Sequence, residues 1–543
     1  MGSGEKKTLP YSYHTFLYPF LWDNHGTVGQ QEFRCVLGRA WKEDYPIKGD
    51  GGLSADPLKE TDRARWDYQA FQYFNPSARQ VLFSAQGDAA QHYVLNFGKK
   101  ARYIIITDDQ EIALRINAIR FKLFKAGVAI MVFETEYYPD DQTKPAPSPA
   151  EAVRFINEYG RRLYPEFLPK ERGGFILGAA QIRIEVDGAP VCEEKLRERA
   201  ELHLSSPKDP SSYLNDPIQL PEIIGCLLGY GGGTDYGVIG NRSKIGQKQF
   251  YIEPAIDDRM FVCCCLIDED YTNSFIHGGE KGREQTHDWR FLSDWEKGRE
   301  LYALTNIDGR NATCQNRVML DQCFEEQLYL RWIEYGTIYA VTSHAMVCLT
   351  SPKVEDEVVN PFLLLYVPMC MLVLAQRASL IAFDSRSTAI VCENGDRRRE
   401  ELIKLVEDFA GFQGQLLLPE VTSQIQGIEL YEQLQKMLFI EKLENNIQGQ
   451  LSNLYEINEA AHERRQKSME LSFNLLAGLA IISALTDIAA FIGLFFHWKT
   501  EWLVLILSLI LVALFTAVLL RCGDRIAAGI ARFREKHRED RRD

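Results

Sequence analysis

The sequence predicts an α+β domain that is followed by long stalk helices and a C-terminal two-helix transmembrane hairpin. Three observations predict this fold class. Short runs rich in Ile, Val, Phe and Tyr, separated by turn residues, fill much of the first part of the chain. From residue 398 onward the apolar residues recur with helical spacing, and two long apolar runs stand near the end.

Strands dominate residues 1–147, the predicted N-terminal α/β part. We expect strands at 12–22, 32–37, 93–97, 102–107, 111–124 and 127–137, and a helix at 67–83. Because few residues separate these runs, neighbouring strands are expected to pair antiparallel.

A helix start opens the second α+β part, residues 148–357, which is the predicted ligand-sensing region. Ser148 can cap the helix, Pro149 suits its first position and Glu151 completes a capping box. Further strands are expected at 247–252, 259–267 and 331–350.

Helices are predicted throughout residues 358–470, the bundle and stalk part. The length of the apolar stretch 362–375 suits a buried core helix, and the alternative is a third membrane span. Apolar residues that recur every three or four positions predict a long helix packed on partners: Ile440, Leu443, Ile447, Leu451, Leu454 and Ile457.

Two apolar runs, 471–496 and 502–520, make up the predicted hairpin at 471–520. The first run contains one charged residue, Asp487, and the second contains none. About 20 apolar residues cross the hydrocarbon core of a bilayer as a helix. The alternative is a buried helical hairpin in a soluble core.

The basic residues predict the orientation of this hairpin. Three of them precede the first run, many follow the second run, and the connecting loop has only Lys499. The positive-inside rule therefore places both termini in the cytoplasm, with a basic cytoplasmic tail at 521–543 against anionic lipid headgroups. The net charge of −14 argues against direct nucleic-acid binding, which requires a basic face.

Twelve cysteines are scattered along the chain without a CxxC pair, so no zinc site is expected. A cytoplasmic location predicts free thiols. Because side chains alternate along a strand, Cys263 and Cys265 should face opposite to Cys264, each in a buried structural role.

One face of the first span predicts a pore lining, since steps of three and four residues keep its members together. These residues are Ser472, Leu475, Leu479, Ser483, Thr486, Ala490 and Gly493. Leucine rings can close such a path by dewetting. Asp487 borders this face, either as a carboxylate ring that favours cations or as a structural residue between helices. One hairpin cannot enclose a pore, so this hypothesis requires an oligomer.

The C-terminal plan resembles that of the CorA-type divalent-cation transporters. There the first span ends close to Leu-Thr-x-Ile-Ala-x-x-x-Gly-Met-Asn-Phe, and residues 485–496 here read Leu-Thr-Asp-Ile-Ala-Ala-Phe-Ile-Gly-Leu-Phe-Phe. The resemblance implies a CorA-like homo-oligomer, a pentamer by family analogy, with Phe495 at the pore mouth. Phe495 replaces the family's Asn and cannot receive a hydrated magnesium ion, so a dedicated magnesium importer is not favoured. A divalent cation stays a candidate permeant ion.

Several segments outside the hairpin resemble a branch of CorA-like proteins that is associated with type III CRISPR systems. These segments are residues 13–20, 156–165, 334–337, 376–380 and 420–424. The resemblance implies a multi-pass protein of the prokaryotic inner membrane, without a covalent cofactor. It also implies that a nucleotide second messenger, a conjugate of S-adenosylmethionine and AMP, binds the cytoplasmic domain and opens the membrane part.

Two groups of residues are candidates for binding such a ligand. The glycine-rich segment 225–240 contains Gly231, Gly232, Gly233 and Tyr236, and its backbone can approach phosphate, although a flexible surface loop is the alternative. Arg161, Arg162 and Arg377 can pair with phosphate. The alternatives are a favourable helix end for the first two and a buried salt bridge for Arg377.

Enzymatic activity is not expected, because the sequence has no Gly-x-Ser-x-Gly, His-Glu-x-x-His or P-loop motif. Acidic groups such as 257–258 and 268–270 leave the question of a metal site open. Three classes of function remain: a ligand-gated membrane effector, a CorA-type divalent-cation transporter, and a non-conducting membrane scaffold.

Overall fold

The structure, a computed structural model, divides into two compact units, Met1–Ser452 and Asn453–Asp543. It describes residues 9–22, 37–44, 66, 68–83, 89–97, 100–142, 148–169, 175–205, 220–232, 242–245, 248–255, 259–277, 289–309, 313–392, 396–495 and 510.

Most strands of the first unit belong to one mixed sheet. The strands are β1 (Ser12–Leu21), β2 (Lys42–Glu43), β3 (Ala90–Leu95), β4 (Ala101–Ile106), β5 (Glu111–Phe124), β6 (Val128–Tyr137), β7 (Phe167–Pro169), β8 (Phe175–Leu177), β9 (Gln181–Val186), β10 (Ala189–Glu194), β11 (Arg242–Ile245), β12 (Lys248–Tyr251), β13 (Glu253–Pro254), β14 (Phe261–Ile267), β15 (Leu328–Tyr329), β16 (Ile338–Val341) and β17 (Ala345–Thr350).

The α-helices are concentrated in the later part of the chain. They are α1 (Pro76–Phe83), α2 (Pro149–Tyr159), α3 (Leu196–Ser205), α4 (Glu222–Leu228), α5 (Glu269–Ile276), α6 (Arg290–Ser293), α7 (Trp295–Thr305), α8 (Arg317–Gln327), α9 (Val367–Cys392), α10 (Asp396–Gln415), α11 (Ile425–Met437) and α12 (Ile440–Phe495).

The sheet has thirteen strands among the described residues, in the main order β10-β9-β4-β5-β6-β1-β14-β17-β16-β15. The predicted antiparallel pairing holds for β5 with β6 and for β1 with β6. By contrast β14 pairs with β17 in parallel, with Val262 opposite Ala345. The sheet therefore takes strands from both of the predicted parts, 1–147 and 148–357.

These strands form because their side chains suit a sheet that is covered on both faces. Residues of β1 from Phe16 to Phe20 and all residues of β14 are buried. Near-continuous apolar runs are typical of such strands, whereas β5 begins with alternating buried and exposed positions at the edge of the core. The prediction of a mixed α and β domain followed by helices is confirmed at this level, and the CorA-like oligomer stays a prediction.

Helix α2 begins as predicted. The Ser148 side chain accepts a hydrogen bond from the Glu151 backbone N–H at 3.2 Å, and Pro149 occupies the first turn. The helix predicted at 67–83 is interrupted, because Asn75 pairs with a distant segment: its backbone N–H donates to the Val421 carbonyl at 2.8 Å. A residue before proline avoids the helical region, and Asn75 precedes Pro76.

The apolar stretch 362–375 lies in a buried helix, as predicted. Two short π-helical segments, Glu355–Val359 and Phe362–Tyr366, lead directly into α9. The whole helical segment Pro352–Val391 is long and apolar enough to cross a membrane, but 72% of its most apolar window is buried inside the molecule. That burial is typical of a core helix.

Cys192 and Cys226 form a disulfide that joins β10 to α4, with their Cα atoms 5.9 Å apart. The expectation of free thiols is therefore wrong for this pair, because the fold brings two cysteines 34 residues apart into bonding geometry. The predicted alternation in β14 is supported: Cys264 packs in the main core and interacts with Asn157, whereas Cys263 and Cys265 interact with Cys370 and Cys348.

The predicted long helix is confirmed as α12, which is unbroken from Ile440 to Phe495. In the first unit its residues Ile440, Ile447 and Leu451 are buried. In the second unit, Gln466–Ile488 is long and apolar enough to span a membrane, and none of its most apolar window is buried. The second predicted run, 502–520, lies outside the described residues apart from Ile510, as does strand 32–37 apart from Leu37.

Candidate functional site

An open cavity of about 370 Å³, its mouth included, lies in the first unit. Its walls come from β1, from the chain after α2, from the start of β14 and the residues before it, from the turn between β16 and β17, and from α9. Five of its lining residues are polar: Arg161, Arg259, Ser343, His344 and Arg377. We call this the arginine pocket.

The first wall depends on how helix α2 ends. Gly160 follows the helix and packs tightly, since an added Cβ would lie 2.8 Å from an Ile105 methyl carbon. Its carbonyl accepts a hydrogen bond from the Tyr103 hydroxyl at 2.7 Å. Arg161 comes next, and its carbonyl accepts from the Met260 backbone N–H at 2.8 Å. The Arg161 side chain is thereby held at the pocket with only 3% of the residue exposed.

The second wall is built by the parallel pair β14 and β17. Arg259 stands two residues before β14, where its backbone pairs with that of Arg162. The Val262 backbone N–H donates to the His344 carbonyl at 3.1 Å, which fixes the turn before β17. Within that turn the Thr342 hydroxyl accepts hydrogen bonds from the backbone N–H groups of His344 and Ala345.

Three guanidinium groups and an imidazole thus line one cavity, and no acidic side chain is among its described lining residues. Guanidinium groups bind phosphate and carboxylate with paired hydrogen bonds, and they do so most strongly where water is partly excluded. The pocket is therefore suited to one anionic group of a ligand, such as a phosphate or a carboxylate.

The structure brings together two of the predicted ligand-binding residues, Arg161 and Arg377, although they are 216 positions apart in the sequence (377 − 161). Arg162 is not part of the pocket. It is buried and forms ion pairs with Glu158 and Glu166, so its charge is used inside the fold.

The described residues of the glycine segment, 225–232, are not among those that line the pocket. Gly231 and Gly232 have φ angles of +87° and +77°, a conformation that glycine favours. An added Cβ at Gly231 would lie 2.7 Å from the Ala40 Cβ, and the Gly232 carbonyl accepts from the Arg39 backbone N–H. These glycines thus pack against residues 37–44. Gly233 and Tyr236 lie outside the described residues.

Sequence reasoning missed Arg259 and His344. Arg259 is a charged residue directly before a fully apolar strand, and His344 follows Thr342 and Ser343 in a turn between two strands. Both positions are strand entrances. Recognising them requires knowing that β14 and β17 are parallel, because the residues before two parallel strands then lie at the same edge of the sheet.

A Ser–His–Asn chain in the core has the geometry of a hydrolase triad but no access for a substrate. The Ser12 hydroxyl and the Asn157 side-chain oxygen each lie 2.8 Å from a ring nitrogen of His14. All three residues are at most 1% exposed. Burial lowers the pKa of His14 to about 4, which makes it a weak general base at neutral pH. This cluster is a buried hydrogen-bond network.

Two of the acidic residues considered for metal binding, Asp268 and Glu269, have other partners. Asp268 accepts from the Tyr11 hydroxyl at 2.6 Å and caps α5, and Glu269 pairs with Lys353 at 2.7 Å. Within the described part of the chain, no group of three His, Cys, Asp or Glu side chains is placed to hold a metal ion. Residues 257–258 lie outside that part.

The predicted pore-lining residues belong to α12 in the second unit. Ser472, Leu475, Leu479, Thr486 and Asp487 are exposed on this helix. The Ser472 hydroxyl donates to the Ser468 carbonyl at 2.9 Å, and the Thr486 hydroxyl donates to the Ser483 carbonyl at 2.7 Å. Because these hydroxyls are satisfied within their own helix, they suit a membrane anchor as well as a pore.

The remaining predicted residues of this face lie in the C-terminal part of α12. Ser483 is exposed, whereas the side chains of Ala490, Gly493 and Phe495 lie outside what the structure describes, although their backbone is helical. Asp487 is the one ionisable side chain within Gln466–Ile488 beyond its first turns. A charged side chain at this depth is costly in a simple anchor but useful in a pore, so Asp487 is the residue whose replacement best distinguishes the two functions.

Comparisons with protein-family models, with curated proteins and with solved structures found no match to this chain. Its function must therefore be argued from the arginine pocket and the apolar helix.

Proposed function

We propose that this protein is a membrane effector of a type III CRISPR antiviral system and is gated by a nucleotide second messenger. In this proposal S-adenosylmethionine–AMP binds the cytoplasmic part, and an oligomeric pore then disrupts the membrane or its ion gradients. The observation that supports it is the convergence of Arg161, Arg259 and Arg377 on one cavity. Guanidinium groups bind phosphate through paired hydrogen bonds, and the proposed messenger contains a phosphate.

The membrane half of the proposal is supported by the exposed apolar segment Gln466–Ile488 of α12. Burying apolar surface is the main favourable term in protein folding, so a wholly exposed segment of this length requires another apolar medium. A lipid bilayer of a prokaryotic inner membrane is the medium we propose, with homo-oligomeric copies of the chain around a pore.

One observation counts against a cytoplasmic location of the first unit. Disulfides are rare in reducing compartments, and Cys192 is bonded to Cys226. The location can be tested by alkylating intact cells with a membrane-permeant maleimide, with and without prior reduction. Cys192 and Cys226 that react without reduction would support the cytoplasm, whereas labelling only after reduction would support an oxidising compartment.

The deciding experiment measures ion flux across liposomes that contain the full-length protein. We expect flux only when S-adenosylmethionine–AMP is added, with AMP and inorganic phosphate as separate probes of the pocket. Magnesium uptake without any ligand would instead favour the CorA-type divalent-cation transporter. Ligand binding without flux under any condition would favour the non-conducting scaffold.

Asp487 gives a prediction about the permeant ion. Asp487→Asn removes a negative charge that would attract cations to the pore. If this attraction contributes about 1.4 kcal/mol, the cation-to-anion permeability ratio should fall about tenfold. The affinity for the ligand should stay nearly unchanged. Reversal potentials in planar bilayers would measure this ratio.

Glu470→Gln is a matched control for this measurement, because Glu470 is an exposed carboxylate just before the apolar run. It should leave the ratio unaltered. An unaltered ratio in Asp487→Asn as well would mean that Asp487 has a structural role.

A further inference from the structure

Helix α9 contacts both the arginine pocket and helix α12. Leu374 and Arg377, in its first half, line the pocket. Asp384 and Ser387, in its second half, hydrogen-bond with Gln450 of α12. Asp384 lies seven positions after Arg377 in α9 (384 − 377), which is about two turns and about 10 Å along the axis.

The contact between these helices is a small polar cluster, which we call the Gln450 joint. The Gln450 side-chain amide donates to Asp384 Oδ1 at 2.9 Å, and its oxygen accepts from the Ser387 hydroxyl. Asn446, one turn earlier on α12, donates to the same Asp384 oxygen at 3.3 Å. Both ends of the Gln450 amide are therefore bound to α9.

Buried residues lie next to this joint on both helices. On α12, Ile447 and Leu451 are buried on either side of Gln450, and Ser387 on α9 is 1% exposed. The cluster is partly buried, and its hydrogen bonds favour one position of the helices because sliding would break them. Movement of α9 at this point should therefore carry α12 with it.

Hydrogen bonds join the first half of α9 to α11 and to the residue after α10, so a shift of α9 involves these neighbours as well. The Gln376 amide donates to the Leu416 carbonyl at 2.9 Å and to the Tyr431 hydroxyl at 3.0 Å. Before α9 the chain forms two π-helical segments, and π-turns within helices are frequent at functional sites. Packed helices commonly respond to a ligand by shifts of about 1–2 Å.

We propose that an anion in the arginine pocket shifts α9 through Arg377 and that the Gln450 joint transmits this shift to α12. The inference rests on the proposed function, because α12 continues along the chain into Gln466–Ile488. A ligand shifts an equilibrium only if it binds the two states with different affinities. Here that difference arises at Arg377, which is the charged pocket residue on α9.

Gln450→Met tests the joint, since methionine has a similar size but forms neither hydrogen bond. The Ser387 hydroxyl keeps a partner in the variant, because it also donates to the Asp384 carbonyl at 2.8 Å. We expect ligand-stimulated flux to fall at least tenfold. The affinity for S-adenosylmethionine–AMP, measured by calorimetry, should be unchanged or tighter, because binding no longer includes the cost of moving α12.

The matched control is Gln448→Met, the same chemical change on an exposed part of the same helix. Gln448 donates only to Glu444, one turn away, among its described contacts. This variant should retain the flux and the affinity of the unaltered protein. If Gln448→Met lost flux to the same degree, the loss would not be specific to Gln450, and the proposed role of the Gln450 joint would be overturned.

Hydrogen exchange gives a readout that does not depend on conduction. In the unaltered full-length protein, S-adenosylmethionine–AMP should change the exchange of residues 440–452, and Gln450→Met should abolish that change. Ligand binding that leaves these residues unaffected, or wild-type flux in Gln450→Met, would overturn the inference alone. Failure of the unaltered protein to bind the ligand would overturn the proposed function.

Discussion

Replacing Arg377 with glutamine is expected to weaken binding of S-adenosylmethionine–AMP about 100-fold. Hydrogen bonds to a charged group contribute about 1.5–3 kcal/mol each, and 2.7 kcal/mol corresponds to a factor of 100. Arg377 suits this test because it lies on the pocket wall formed by α9 and is only half-buried. Its replacement therefore perturbs the fold less than replacement of Arg161, which is almost fully buried.

Titration calorimetry on the full-length protein would measure this loss, with two further variants for comparison. Arg377→Lys keeps the charge but not the paired hydrogen bonds. Its affinity for the ligand should therefore lie between those of the unaltered protein and Arg377→Gln. Arg115→Gln removes an arginine on β5 that pairs with Asp141 outside the pocket, and its affinity should not change. Equal affinities in Arg377→Gln and the unaltered protein would exclude this pocket as the ligand site.

The sequence predicted well those helices and strands that depend mainly on residues near to them in the chain. The Ser148–Pro149 start of α2 depends on neighbouring residues only, and β5 and β6 are long runs of strand-forming residues. The helix around Asn75 was predicted less well, because its interruption depends on a hydrogen bond to Val421, 346 positions away (421 − 75). Tertiary contacts of this kind override helical spacing.

The candidate site was predictable only in part, for a related reason. Arg161 and Arg377 were singled out because arginine is the residue that binds phosphate, which is a property of the side chain itself. Arg259 and His344 acquire their meaning only from the parallel pairing of β14 with β17. Gly231 and Gly232 do adopt positive φ angles. Gly231 also packs closely against Ala40, a contact that the sequence does not reveal.

Acidification should destabilise the first unit through His14. Burial lowers the pKa of its imidazole from 6.5 to about 4, although the hydrogen bond with Asn157 opposes this shift. Between these two pH values the unfolded chain binds a proton at His14 and the folded chain does not. The free energy of unfolding therefore falls as the pH decreases from about 6.5 to about 4, by about 3 kcal/mol in total from this residue.

The pH dependence of denaturant unfolding, followed by fluorescence of the full-length protein in detergent, would measure this contribution. His14→Gln removes the titrating group but keeps an amide that can hydrogen-bond with Ser12 and Asn157. Its stability at pH 7 should be lower, because a packed ring is lost. Its further loss between pH 6.5 and pH 4 should be smaller than that of the unaltered protein by about 3 kcal/mol. His92 stays intact in the variant, and burial also lowers its pKa well below the usual value. Some acid sensitivity should therefore persist, and equal pH slopes in the two proteins would show that His14 is protonated in the folded state.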